Sequence, residues 1–67
     1  MIDRVLAIVR DSDAEVTTCD IVRRLGIADD NGHRDLVLAL FELEHLRGEI
    51  RYLPERYGYV PQYGGHS

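Results

Sequence analysis

Apolar residues recur at Ile2, Val5, Leu6 and Val9, the i, i+3, i+4, i+7 spacing of one helical face. That pattern predicts a first helix, ended by Asp11-Ser12-Asp13. Glu15-Val16-Thr17 is compatible with a brief strand. Thr17 or Thr18 then offers an N-cap with Asp20 in the following turn, and Ile21, Val22 and Leu25 supply the inner face of a second helix. Gly26 falls where a left-handed C-cap is wanted, with Ile27 placed for the closing apolar contact. "ADDNGH" reads as the connection, and Asp29, Asp30 and Asn31 are all competent caps for a third helix running to about Arg47, where Gly48 stops it. Ile50, Tyr52, Tyr57 and Tyr59 carry β propensity around "LPERYG", in which Pro54 suits a turn. A hairpin of roughly 49–53 and 57–61 follows, and "PQYGGHS" reads as a frayed tail.

The third helix sets the functional question. At about 100° per residue, Leu36, Leu40 and Leu43 share one arc, with Ala39 and Leu46 on one side of it and Val37 on the other. That arc is the expected core face. The opposite arc holds Arg34, Asp35, Leu38, Glu42 and His45, with Phe41 at its edge.

Composition narrows the classes. Sixty-seven residues make one small domain with a marginal core, and no apolar run approaches the ~20 residues of a membrane span. The opening "MIDRVLAIVRDSD" reads as helix and not as a secretory leader. The single Cys19 gives no internal disulfide framework, and the second helix is expected to bury it. A reducing cytoplasm is the simplest location. All eight basic residues are arginine, the usage of a GC-rich or halophilic genome, and the net charge of −4 counts against a non-specific nucleic-acid coat.

The order of elements, with "EVTTCDIVRRLGI" and "LFELEHLRGEIRYLPERYGYV" at the joints, resembles the winged-helix family, a helix-turn-helix followed by a β-hairpin wing. Leu40, Leu43 and Leu46, then Gly48, Ile50 and Tyr59, match the leucine-rich third helix, its glycine stop, the apolar strand residue and the returning aromatic. The resemblance covers Ile2 to Pro61. It implies an α+β fold of three helices and a small antiparallel sheet, as one domain over residues 1–61 with a tail at 62–67. The chain departs from the pattern in two places. The spacing from Leu43 to Gly48 is one residue longer than expected, so the third helix either starts late or carries an extra residue near its end. "GIADDNGHRD" is also longer than a tight helix-turn-helix turn.

The resemblance implies binding to duplex DNA as a transcription regulator, of a size that suits a phage or other mobile element. The third helix would lie in the major groove and the wing on the backbone. The residues suited to this are Asn31, His33 and Arg34 at the helix start, Arg51, Arg56 and Tyr57 on the wing, and Thr18 against a phosphate. Arg23 and Arg24 add charge late in the second helix. Against these stands the segment from Asp29 to Glu49, with six acids and two arginines. Carboxylates repel phosphates unless aimed at cytosine amino groups. Asp29 and Asp30 have an ordinary role as caps that suit the helix dipole. The alternative partner is a protein, either a second copy of this chain or a basic protein, docking on Leu38, Phe41, Glu42 and His45. A positive strip continuous from the helix start to the wing would favour DNA, and a broken one protein.

No catalytic constellation is present, so the chain does not read as an enzyme and needs no cofactor. Glu42 and His45 share a face at i, i+3, but His33 and His66 add no metal-ligand spacing.

Overall fold

In the computed structural model, which describes residues 1–62, three helices precede a hairpin. They are α1 (Ile2–Asp11), α2 (Thr18–Leu25) and α3 (Asp30–Phe41), followed by β1 (Ile50–Leu53) and β2 (Gly58–Pro61). The arrangement is α+β, compatible with a winged-helix topology, and the C-terminal hairpin takes the place of the expected wing. No described helix is long and apolar enough to cross a membrane.

Local chemistry sets the helix ends. Thr17 is the N-cap of α2. Its Oγ1 accepts from the Asp20 amide at 3.1 Å, while Asp20 Oδ2 accepts from the Thr17 amide at 3.4 Å, a reciprocal capping box. Gly26 takes the left-handed conformation (φ 71°), and the Ile27 amide bonds Val22 O at 3.1 Å while its side chain packs on the core. Asp29 is the N-cap of α3, accepting from the Gly32 amide at 2.8 Å.

The long connection is therefore mostly helix. Asp30 to His33, expected as loop, form the first turn of α3, leaving only Gly26 to Asp29 as the link. Gly32 permits this. A Cβ there would stand 2.8 Å from both Asp29 Oδ1 and Ile27 Cγ2, against the cap and the closing apolar contact at once.

The extra residue near the end of α3 is absorbed by a π turn over Glu42–Leu46. Gly48 then closes the helix with φ 66°, and the Glu49 amide bonds Leu43 O at 2.8 Å. This turn corrects one expected core position. Leu46 is 71% exposed, because the added residue carries it off the arc that Leu36, Leu40 and Leu43 bury. Val37, also expected at the core margin, is 60% exposed, because it lies about 100° around the helix from Leu36, beyond the arc that Leu36, Ala39 and Leu40 bury.

Val5 and Val9 of α1, Val16, Ile21 of α2, Leu36, Ala39 and Leu40 of α3, Leu43 and Ile50 form one buried cluster. Truncating one of its fully buried leucines to alanine costs about 2–5 kcal/mol. β1 and β2 pair antiparallel with Arg51 opposite Val60 and Tyr52 opposite Tyr59. Val16 bridges the other side of β2, exchanging hydrogen bonds with Tyr59 at 2.9 and 2.7 Å. β2 thus lies between β1 and Val16, and the brief strand that Glu15–Thr17 is compatible with is a single bridge at Val16. The hairpin is shorter than expected by one residue in each strand. Tyr57 leaves the strand with a positive φ of 55° and ends the turn that Pro54 begins. Of the expected tail, the Gln62 amide still bonds Glu49 O at 2.9 Å. Residues 63–67, including His66, lie outside the described residues.

Candidate interaction surface

The outer face of α3 is a ridge. Val37, Leu38 and Phe41 are 60%, 61% and 54% exposed, with Arg34 one turn before Leu38 and His45 one turn after Phe41. Arg34, Leu38, Phe41 and His45 follow a 4-3-4 spacing, so they make one seam along the helix. Phe41 and His45 pack ring on ring, with centroids 4.8 Å apart and planes tilted by 44°. A shallow groove of about 450 Å³ runs beside the ridge where the start of α1 meets α3, bordered by Met1, Ile2, Leu38 and Glu42. A second groove of about 260 Å³ lies on the other flank, between the start of α2, the end of α3 and Tyr59 of β2.

Carboxylates line both flanks. Asp35 and Glu42 border the first groove and Glu44 the second. Glu42 is held by Arg47, whose Nε lies 3.4 Å from Oε2, and Arg47 also reaches Glu49 at 3.4 Å. Glu44 pairs with His45 Nε2 at 3.5 Å. Tyr59 feels this charge. Burial raises its phenol pKa above the ordinary value, and the negative charges of Glu44 and of an ionised Tyr52 push the same way. Tyr52 and Tyr59 themselves pack across the hairpin with centroids 5.1 Å apart.

The residues suited to DNA are exposed. Asn31, His33 and Arg34 lie on the first turns of α3, and His33 Nδ1 lies 3.0 Å from Asp29 O. Thr18 is the exposed first residue of α2. Arg34 and Arg51 have no ion pair among the described residues. Arg56 is drawn to Glu15 at 3.5 Å and Arg23 to Asp20 at 3.9 Å, while Arg24 donates to Ser12 Oγ at 3.0 Å. Tyr57, 74% exposed, stands at the hairpin tip. Alternation along β1 puts Arg51 on the sheet face opposite Ile50 and Tyr52, hence away from the groove that Tyr59 lines.

Cys19 is exposed, not buried as expected. Two residues before Ile21, it sits about 200° around the helix from the residue that enters the core. Sequence reading also passed over Glu44, Val37 and Tyr59 as surface partners of Phe41. The i+3 spacing of Glu44 from Phe41 is the signal that places those two together. Among the described residues no group of three or more His, Cys, Asp or Glu side chains is arranged to hold a metal ion. No protein-family model, curated protein or solved structure matches this chain.

Proposed function

We propose that this chain is a small winged-helix protein-interaction module that docks a basic, amphipathic partner helix on the outer face of α3. One observation carries the reading. The face that a winged helix would present to base edges holds Val37, Leu38 and Phe41, flanked by Asp35, Glu42 and Glu44. An apolar seam between acidic margins is complementary to a helix with apolar anchors and basic flanks. A second copy of this chain matches it less well, since self-pairing sets acidic margins against acidic margins.

The test is selection from a random library of helical peptides. The expected binders have net positive charge and apolar residues at i, i+3 or i+4, and lose binding to Leu38→Glu while that variant keeps its fold by circular dichroism. Binders indifferent to Leu38→Glu, or an enriched set without positive charge, would overturn the proposal.

A second reading keeps the chain as a DNA-binding regulator. It is favoured by the exposure of Thr18, Asn31, His33 and Arg34 and by the guanidinium groups of Arg34 and Arg51, which have no ion pair among the described residues. Arg56 and Tyr57 would meet the backbone from the wing. Under it, Arg34→Ala relaxes sequence preference, while Arg56→Ala weakens all duplexes and lowers the salt slope by about one. A random-sequence duplex selection that yields no salt-dependent binding removes it.

A further inference from the structure

The second groove beside α3 has a chemistry that the ridge lacks. Phe41, His45 and Tyr59 line it together with Glu44, Val37, Leu40 and Thr18, and the Phe41 and His45 rings pack on each other. Glu44 is only a quarter exposed, and Nε2 of the His45 imidazole lies 3.5 Å from its carboxylate. Ring faces carry negative quadrupole charge, and a carboxylate beside them adds a full charge, so the two attract the same kind of group. Burial first, and then the Glu44 charge, raise the pKa of the Tyr59 phenol. A planar guanidinium matches this better than an ammonium, because it can lie on a ring and donate in its plane to a carboxylate.

We propose that this groove, formed by Phe41, Glu44, His45 and Tyr59, is the anchor subsite for one arginine side chain of the partner. The inference rests on the protein-docking reading and sharpens it. The ridge residues Leu38 and Val37 give apolar area, and the groove selects a cation at one position of the bound segment. The bound guanidinium stacks on the Phe41 ring and donates to Glu44, displacing His45 from that carboxylate. The groove along α1 offers Asp3, Asp35 and Glu42 with aliphatic walls and no aromatic ring.

The experiment uses the whole chain and small probes, so it is independent of any selected peptide. N-acetylarginine methylamide is titrated into the isotope-labelled protein at constant ionic strength, in parallel with the citrulline analogue, which has the same shape without the charge. The expected result is shifts confined to Phe41, Glu44, His45 and Tyr59, with a slope about five-fold greater for arginine than for citrulline. Glu44→Gln reduces the arginine slope to that of citrulline, and Phe41→Leu, which keeps the apolar volume, reduces it as well. Equal slopes for the two probes, shifts spread over the acidic surface, or an unchanged response in Glu44→Gln would overturn the subsite. Failure here with peptide binding still lost in Leu38→Glu sinks the arginine anchor alone. Failure of the Leu38→Glu test sinks the docking face itself.

Discussion

The backbone amide of Arg47 donates to the carbonyl of Glu42 at 2.8 Å, five residues back instead of four. This bond is how the chain accommodates its long spacing between Leu43 and Gly48. Leu43 stays fully buried and Gly48 still reaches its left-handed stop, while Leu46 is left on the outside. π turns are rare, and as single turns inside α-helices they occur often at functional sites.

The turn makes a specific prediction. Deleting Leu46 removes the added residue and loses only an exposed side chain. The shortened chain is expected to fold cooperatively, with an ordinary α-helical end to the third helix and equal or greater stability in urea. Loss of the cooperative transition would show instead that the π turn is required for the hairpin to pack.

Much of this architecture was legible in the sequence, for reasons that are local. The Ile2–Val9 periodicity, the Thr17–Asp20 box and the two left-handed glycines each fix their element within a few residues of chain. The misses were matters of competition for one core. Val37, Leu46 and Cys19 are as apolar as their buried neighbours; helix rotation relative to Leu36 and Ile21 leaves Val37 and Cys19 outside, and the π turn carries Leu46 off the buried arc. The surface was harder still. Arg56 reads as a free cation on a wing until Glu15, 41 residues away in sequence, is seen within 3.5 Å of it. Glu44 and Tyr59 share a groove only because β2 passes beside the end of α3, a relation no spacing rule contains.

Gly58 is where the hairpin closes on the rest of the fold. A Cβ there would stand 2.8 Å from Glu15 Cγ, 2.9 Å from Glu15 Cβ and 3.3 Å from the Val16 amide nitrogen. The side chain of Glu15 can shift, but the Val16 backbone is held by two hydrogen bonds to Tyr59. Gly58→Ala is therefore expected to destabilise the protein by about 1–3 kcal/mol, the usual scale of overpacking. Chemical denaturation measures it. The amides of Val16 and Tyr59, which bond each other's carbonyls, should lose exchange protection first. A variant as stable as the parent would mean that the Glu15–Val16 segment moves without cost.

Tyr59 provides a pH test of the same region. Burial is the first cause of its raised pKa, followed by the charges of Glu44 and Tyr52. The unfolded chain ionises this phenol near the ordinary tyrosine value of about 10, while the folded chain holds it protonated to higher pH. The unfolded state thus gains charge first as pH rises. The stability tied to the neutral phenol is fully present below about pH 10 and declines as pH climbs through the folded value. Phenolate absorbance should show a late-titrating tyrosine that Tyr59→Phe removes. Glu44→Gln should move that late step towards the ordinary value without abolishing it, because the burial contribution remains. A late step that survives Tyr59→Phe would place the shifted phenol elsewhere, and one unmoved in Glu44→Gln would show that the carboxylate does not face the groove.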